Sequence, residues 1–516
     1  MNEEQKTKGA LTRRDFLKKT GSAAAVAGIA AGGLTLGARD AEAAALPKKW
    51  QETFDVVVIG SGFAGLATAY EAKKAGASVV ILEKMRTPGG NSIINGGVVS
   101  AAGSPKQAEK GIKDAPETLL QDMLTACLNL NHVELAKMVA DQSMETVQWT
   151  IDELGVKYKE HLSQEGGHAV PRMYSTYNQS GSAIVTQQLA KLKALGVVPR
   201  LQCYLTQIFR DKDGRVKGVE IREGYVFPKA NSGKLKTIKA RKAVVLATGG
   251  FGEDIGFRKI QDPRLDEKVL TTNQPGATAE GLKSALRIGC TPLQLSWIQL
   301  GPWCSPDEKG MGIAAFFAQG CGAQYGLWIN TKNGRRFVNE LADRKIRADA
   351  ILREGNKCLA FCDANGIGKR ATMLPKFLER GTVKKYDSLE AMAAAYDVPF
   401  GPLKEEVDKY NAGLAKGKDE AWGRYLQKDA KPIGTAPFYA MRLMPKVHHT
   451  MGGINMNAKA QATDIENDKP IPGLYAAGEV TGGVHGAVRL GSCATLDCLI
   501  FGRIAGRNAA AEKAWG

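Results

Sequence analysis

Three glycines near the start of the chain have the spacing of a loop that binds a dinucleotide. Gly60, Gly62 and Gly65 follow an apolar, β-branched run that predicts a buried strand, and a helical pattern begins directly after them. A second short apolar run ends in Glu83. The free N–H groups at the start of the helix would bind a pyrophosphate, and Glu83 would accept a ribose hydroxyl. The pattern therefore predicts a βαβ unit that binds a dinucleotide.

Further glycine-rich segments indicate that this dinucleotide is FAD. Gly-Gly-Asn-Ser at 89–92 and Asn-Gly-Gly at 95–97 follow the second predicted strand, where a flavin would lie. Two later predicted strands end in Thr-Gly-Gly at 248–250 and in Gly-Glu at 478–479. An enzyme that binds NAD alone has no need of such distant segments, and the acid at 479 suits the hydroxyls of a ribityl chain.

Several longer segments together resemble one family of flavoproteins. They are Thr-Gly-Gly-Phe at 248–251, Thr-Asn-Gln-Pro-Gly at 272–276, Arg-Phe-Val-Asn-Glu at 336–340, His-His-Thr-Met-Gly-Gly at 448–453, the segment 477–486, and Arg-Leu-Gly at 489–491. The sequence resembles the soluble fumarate reductases, or flavocytochromes c, within the wider group that contains succinate dehydrogenase flavoprotein subunits. The resemblance implies non-covalent FAD, a capping domain over the flavin, and reduction of an activated C=C bond.

Three residues match the catalytic positions of that family. The resemblance implies that Arg344 protonates one alkene carbon when hydride passes from flavin N5 to the other. It also implies that His448 and Arg489 clamp a substrate carboxylate, and a guanidinium fork with a histidine donor suits that task. The residues expected to hold FAD are Gly60, Gly62, Phe63, Ala64, Gly65, Glu83, Lys84, Gly89, Gly90, Asn91, Ser92, Asn95, Gly96, Gly97, Thr248, Gly249, Gly250, Asn273, Glu280, His449, Gly478, Glu479, Arg489, Ser492, Ala494, Thr495 and Leu496.

One end of the substrate pocket departs from the fumarate reductases. Gly301 stands where they have a histidine, the 315–316 positions are Ala-Phe instead of Thr-Glu, and Gln319 replaces an arginine. A second carboxylate buried there would have no partner, whereas an apolar group would fit. We therefore expect an α,β-unsaturated monocarboxylate such as acrylate, methacrylate or the aryl acrylate cinnamate. The residues expected to line the pocket are Trp297, Gly301, Trp303, Phe316, Phe317 and His449.

The same replacements remove the family's route for protons to Arg344, which runs through the missing glutamate and arginine. Asp343 and Tyr325 are two candidate replacements that the sequence leaves open.

The elements that position these residues predict an α/β fold. We expect a Rossmann-like FAD-binding domain, with the GR2-type βαβ unit, formed by residues 50–296 and 445–516. The resemblance implies that an α+β capping domain, residues 297–444, is inserted into it. Residues 1–43 are expected to be a signal peptide.

The signal prediction rests on a twin-arginine motif. Thr-Arg-Arg-Asp-Phe-Leu-Lys at 12–18 precedes an uncharged Ala/Gly-rich stretch at 21–37 and an Ala-Glu-Ala cleavage site at 41–43. The apolar stretch is shorter than the roughly 20 residues that a spanning helix needs, so this resembles a twin-arginine export signal and not an anchor. We therefore expect a periplasmic protein, exported with its cofactor bound, that does not span the membrane.

Composition limits the partners. The formal net charge is +17, yet the basic residues are scattered, so we expect no nucleic-acid partner and instead an anionic small molecule. The nine cysteines form neither a haem-attachment motif nor a metal-ligand spacing, so we expect no metal, and the electron donor to be a separate periplasmic multihaem cytochrome c. The alternatives are a fumarate or urocanate reductase, a flavin-dependent dehydrogenase, and a non-catalytic electron-transfer flavoprotein.

Overall fold

The computed structural model describes residues 46–515, and the predicted signal peptide lies outside them. The strands are β1 (Glu52–Ile59), β2 (Val79–Leu82), β3 (Val98–Ser100), β4 (Met173–Ser175), β5 (Cys203–Arg210), β6 (Val216–Glu223), β7 (Lys234–Leu246), β8 (Pro292–Leu293), β9 (Ile298–Gly301), β10 (Leu327–Asn330), β11 (Cys358–Cys362), β12 (Lys384–Tyr386), β13 (Phe438–Leu443), β14 (Lys446–Thr450), β15 (Gly453–Ile454), β16 (Gln461–Thr463) and β17 (Pro470–Ala476).

The helices lie between groups of these strands and after the last one. They are α1 (Phe63–Lys74), α2 (Gly90–Ile94), α3 (Pro105–Ala108), α4 (Pro116–Ala126), α5 (Val133–Asp141), α6 (Ser143–Asp152), α7 (Ser182–Ala194), α8 (Ile255–Gln261), α9 (Glu280–Arg287), α10 (Ala314–Phe317), α11 (Ala323–Tyr325), α12 (Arg344–Arg353), α13 (Ala364–Gly368), α14 (Leu374–Glu379), α15 (Leu389–Ala395), α16 (Phe400–Ala415) and α17 (Cys493–Ala511). A π-helical turn follows α10 at Ala318–Gly322, and a 3₁₀ turn lies at Ala371–Met373.

The main sheet has the order β16-β17-β7-β1-β2, in which β17, β7, β1 and β2 are parallel. The long strand β7 also pairs with β6, and β6 with β5, so an antiparallel meander extends the sheet. The last four residues of β1 are apolar and buried, as expected for a parallel strand that is covered on both faces. Helices α1 and α17 pack together on one of those faces. The predicted α/β fold with a parallel sheet is confirmed.

The turn from β1 into α1 requires glycine. Gly60 has a φ of +105°, and a Cβ there would lie 2.2 Å from the carbonyl oxygen of Ala247, which directly follows β7. A Cβ at Gly65 would lie 2.0 Å from the carbonyl oxygen of Gly60. Both distances are far inside van der Waals contact, so only glycine lets this helix start close against the ends of β1 and β7.

A second sheet is antiparallel, with the order β10-β11-β13-β12. Its two faces pack against separate apolar clusters, one around Trp328 and Phe377 and the other around Phe361 and Leu403. This sheet and its helices form the cap, and all four strands lie within the range predicted for it. Across residues 46–515, no helix is long and apolar enough to cross a bilayer.

A two-stranded ribbon joins the cap to the main sheet. Strand β9 pairs with β14 in antiparallel register, with Gly301 opposite Lys446 and Gln299 opposite His449. The register shifts between Val447 and His449. The ribbon therefore brings the segment expected to bind substrate, at 297–303, beside the two histidines at 448–449.

Candidate active site

A cleft opens where the carboxyl ends of β1, β2, β7 and β17 meet. Ligands of open α/β sheets bind at this edge. Fourteen of the residues predicted to hold FAD line the cleft: Gly60, Gly62, Phe63, Ala64, Glu83, Lys84, Gly90, Asn91, Ser92, Thr248, Gly249, Glu280, Gly478 and Glu479.

The other predicted FAD residues lie around the cleft and do not line it. They are Gly65, Gly89, Asn95, Gly96, Gly97, Gly250, Asn273, His449, Arg489, Ser492, Ala494, Thr495 and Leu496. Some hold the lining loops in place: Asn273 accepts a hydrogen bond from Asn91, and Thr495 donates to the carbonyl of Val98. Sequence reasoning missed Ser61, although it lies within the glycine loop. It also missed Met85, the Cys203–Leu205 part of β5, and Thr278, because no glycine motif marks those positions.

The residues of the cleft fit a dinucleotide. Helix α1 begins at the cleft, and its N-cap, Gly62, supplies no side-chain cap to the first-turn N–H groups. A Cβ at Gly62 would come within 3.1 Å of Ser92 Oγ, so the glycine keeps this cradle open. One oxygen of Glu83 accepts hydrogen bonds from the Ser61 hydroxyl, at 2.5 Å, and from its N–H, at 3.1 Å. The carboxylate is thereby fixed beside the glycine loop.

Four polar and aromatic side chains form a second cluster, here called the arginine–histidine cluster: Arg344, Arg489, His448 and Trp303. Gln299 joins the two arginines, because its Oε1 accepts from Arg344 Nη1 at 3.2 Å and its Nε2 donates to the main-chain oxygen of Arg489 at 2.9 Å. Arg344 Cζ lies 4.5 Å from the centre of the Trp303 ring, and the His448 ring lies 5.6 Å from it, edge to face. The structure thus brings the three predicted catalytic residues together.

Arg489 is a buried cation without a carboxylate partner among residues 46–515. It is 6% exposed, its Nη1 donates to the main-chain oxygen of Leu490 at 3.3 Å, and its Nε has no partner. Burial, and next the charge of Arg344, lower the pKa of Arg489 to about 10. A desolvated guanidinium with open donors provides a binding site for an anion.

His448 is neutral at physiological pH. Burial, followed by the charges of Arg489 and Arg344, holds the pKa of His448 well below its ordinary value. Its Nδ1 lies 2.8 Å from the hydroxyl of Thr272. When Thr272 donates to Nδ1, the proton of the ring is on Nε2, which can then donate to a bound carboxylate.

The neighbouring His449 contacts a different group. Its Nδ1 lies 3.4 Å from Glu479 Oε1, and its buried Nε2 has no partner. Burial raises the pKa of Glu479 to about 7, although the hydrogen bonds from Thr450 act to lower it. Because Glu479 lines the cleft, this pair connects the dinucleotide site with the arginine–histidine cluster, and the unpartnered Nε2 fits a hydrogen bond to a flavin.

The predicted substrate-pocket residues do not all lie together. A Cβ at Gly301 would lie 3.6 Å from atoms of the Trp303 ring, which is ordinary van der Waals contact, so the indole packs beside position 301. Trp297 is half-buried, and its main-chain oxygen accepts from Met451. Phe316 is half-buried at the edge of the cap core. The expectation for Phe317 needs correction, because this ring is fully buried and packs on Phe377 inside the cap.

A cation that the sequence analysis missed lies behind Trp303. Arg347 is 2% exposed, and its Cζ lies 5.9 Å from the centre of the Trp303 ring and 5.5 Å from that of Trp328. Its Nη1 donates to Gln319 Oε1 at 2.9 Å and to the main-chain oxygen of Glu340 at 3.1 Å. A positive charge therefore lies against Gln319, and α12 supplies it. This end of the site is less neutral than the sequence suggested.

A carboxylate also contacts Arg344. Glu165 Oε2 accepts from Arg344 Nη2 at 2.6 Å, although the two residues are 179 positions apart in the chain. The two candidates from the sequence are placed elsewhere: Asp343 caps α12 by accepting from the N–H of Ile346, and the Tyr325 hydroxyl contacts Asp429. No signal in the sequence marked Glu165.

The sequence profile of a family described as an FAD binding domain matches residues 55–495. The chain belongs to this FAD-binding family. It is 41% identical to the acrylate reductase flavoprotein subunit of Shewanella woodyi, over 97% of this chain and 98% of that protein. It is also 34% identical to a probable fumarate reductase, Ifc3, of Shewanella frigidimarina, over 89% of this chain and 75% of that one.

A solved structure of a related flavoprotein supports the same family. The open conformation of a flavocytochrome c3 fumarate reductase superposes with a TM-score of 0.73 and 33% identity, over 90% of this chain and 79% of the other. The flavoprotein is therefore an FAD-dependent oxidoreductase that acts on C=C bonds, as predicted. In residues 46–515, no group of three or more His, Cys, Asp or Glu is placed to hold a metal ion.

Proposed function

We propose that this flavoprotein reduces the C=C bond of an α,β-unsaturated monocarboxylate such as acrylate. The observation that carries the proposal is asymmetry within the arginine–histidine cluster. One side has the unpaired guanidinium of Arg489 beside neutral His448, and the other has the Trp303 ring beside Gly301. The relative from Shewanella woodyi is named an acrylate reductase, which supports the same substrate class.

The carboxylate of the substrate binds between Arg489 and His448. Its charge compensates the buried guanidinium, and His448 Nε2 adds a directional donor. Binding at this end withdraws electron density from the conjugated alkene and favours attack at its β-carbon. The alkene and its substituent then lie towards Trp303, where apolar groups are accepted.

FAD, when bound, supplies the hydride that adds to one alkene carbon. Arg344 holds a proton at its guanidinium nitrogens for the other carbon, and Gln299 and Glu165 fix the orientation of that group. The Trp303 ring, stacked 4.5 Å from Arg344 Cζ, keeps water from that side of it. We further propose that FAD is bound without a covalent bond and that a separate periplasmic multihaem cytochrome c delivers the electrons.

Fumarate reduction is a second candidate, and Arg347 is the observation that favours it. This buried guanidinium lies 5.9 Å from the centre of the Trp303 ring, at the end where a second carboxylate would bind. Its Nη1 is already occupied by Gln319 and the carbonyl of Glu340. We therefore favour the monocarboxylate.

A panel of acids distinguishes the two candidates. We expect kcat/KM for acrylate, methacrylate or cinnamate to exceed that for fumarate at least 100-fold, because an unpaired buried carboxylate costs roughly 3 kcal/mol after relaxation. The measurement is oxidation of reduced methyl viologen by the FAD-loaded protein, with urocanate as a further substrate and acrylamide as the uncharged control. If fumarate gives the highest kcat/KM, the protein is a fumarate reductase and Arg347 serves the second carboxylate.

We propose that the protein is exported to the periplasm by its twin-arginine signal. Replacing Arg13 and Arg14 together by lysine should leave the uncleaved precursor in the cytoplasm, because the export receptor reads that pair. Cell fractionation with an antibody to the protein gives the distribution, and the conservative change Lys18→Arg serves as the control that should still be exported. Efficient export of the double-lysine variant would contradict the signal assignment.

A further inference from the structure

The ion pair between Glu165 and Arg344 joins two distant parts of the chain. Glu165 lies in the loop between α6 and β4, whereas Arg344 is the first residue of α12 in the cap. The Oε2–Nη2 distance is 2.6 Å, and the side chains are 32% and 10% exposed, respectively. The Glu165 side chain is thus partly exposed and is also in contact with the guanidinium.

The other contacts of Arg344 cannot supply protons. Gln299 is an amide, which has no acidic proton near neutral pH, and Trp303 offers only its ring face. Phe316 and Gln319, at the cap end of the site, carry no acidic proton either. Of the ion pairs between described residues, the one with Glu165 is the only pair that Arg344 makes.

We propose that Glu165 returns the proton to Arg344 after each turnover. This inference rests on the proposed function. Arg344 donates a proton to the alkene carbon and becomes a neutral guanidine. The carboxylic acid form of Glu165 then transfers its proton from Oε2 to Arg344 Nη2, and solvent reprotonates Glu165 through its exposed side. The substrate gains one hydride from reduced FAD and one proton that originates in water. Glu165 acts through Arg344, so it is a positioning and relay residue.

The charges around Glu165 favour this direction of transfer. Burial raises the pKa of Glu165, but the charge and hydrogen bond of Arg344, followed by the charges of His168 and Arg489, outweigh it and keep the pKa below its ordinary value. While Arg344 is charged, Glu165 is therefore ionised. When Arg344 is neutral, its charge no longer lowers that pKa, so Glu165 can take a proton from water and pass it to the more basic guanidine.

Substitution of Glu165 by glutamine separates proton transfer from positioning. Glutamine keeps an acceptor oxygen for Arg344 but carries no transferable proton. We expect Glu165→Gln to lower kcat for acrylate with reduced methyl viologen at least about 100-fold, with KM within threefold of the wild-type value and FAD fully bound. The solvent deuterium isotope effect on kcat should increase. The kcat of Glu165→Asp should be at least tenfold higher than that of Glu165→Gln, because aspartate retains a carboxyl group. The matched control is Glu160→Gln, whose carboxylate lies in the same loop and is 97% exposed.

Chemical rescue provides the second readout. In Glu165→Ala, formate added at millimolar concentration should raise kcat at least tenfold, because a small acid can enter from the exposed side. A merely structural role would give no rescue. The relay is overturned if Glu165→Gln keeps kcat within threefold of wild type, or if formate leaves the activity of Glu165→Ala unchanged.

The outcome also separates this inference from the proposed function. If no enoate in the panel supports oxidation of reduced viologen by the wild-type protein, the proposed function is contradicted. An active wild type with an equally active Glu165→Gln variant contradicts the relay alone.

Discussion

Replacing Arg344 by alanine should lower kcat/KM for acrylate at least about a thousandfold, equivalent to about 4 kcal/mol of barrier. The proton donor is lost, and Glu165 is left without its 2.6 Å partner. FAD should remain bound, because Arg344 begins a cap helix and does not line the cleft that fits the dinucleotide. The measurement is steady-state reduction of acrylate, together with the flavin absorbance of the purified variant.

Two further variants sharpen this test. Arg353→Ala removes an exposed arginine from the same helix and should leave kcat/KM unchanged. Arg344→Lys keeps the charge but cannot contact Gln299 and Glu165 with a planar fork, so we expect it to recover little activity. Activity of Arg344→Ala within about tenfold of wild type would show that another group is the acid.

The fold was largely predictable because its decisive signals are local. The strand, the glycine loop and the helix that form the βαβ unit are consecutive, and the steric need for glycine at 60 and 65 leaves little choice of conformation. The cap was identified only through resemblance to known flavoproteins. Its antiparallel sheet joins strands that are far apart in the sequence, and periodicity alone does not reveal which strands pair.

The candidate site was only partly predictable. Glu165 was missed because its contact with Arg344 spans 179 positions and its loop carries no motif. Arg347 could have been anticipated, since residues three apart on a helix share a face and Arg347 follows Arg344 at that spacing. Phe316 and Phe317 are consecutive in a helix and therefore point in different directions, so both could not line one pocket.

Arg489 provides the second large effect. Arg489→Met should lower kcat/KM for acrylate at least about a thousandfold, because a carboxylate then enters a buried site without its cation. Selectivity should change as well. In the variant, the ratio of kcat/KM for acrylate to kcat/KM for acrylamide should fall to about ten or less. The matched control is Arg507→Met, an exposed arginine of α17 that should behave as wild type. An unchanged acid-to-amide ratio would place the carboxylate elsewhere.

The thermal stability of the Arg489→Met variant tests whether Arg489 serves substrate binding or the stability of the fold. An unpaired buried guanidinium destabilises the folded protein, and replacing such a charge by an apolar side chain is often neutral or stabilising. We therefore expect the FAD-loaded Arg489→Met variant to melt no lower than the wild type when no acid is present. Propionate, the saturated product of acrylate, should raise the Tm of the wild type and not that of the variant, because only the wild type binds its carboxylate. A variant that melts more than about 5 °C below the wild type would instead assign Arg489 a structural role.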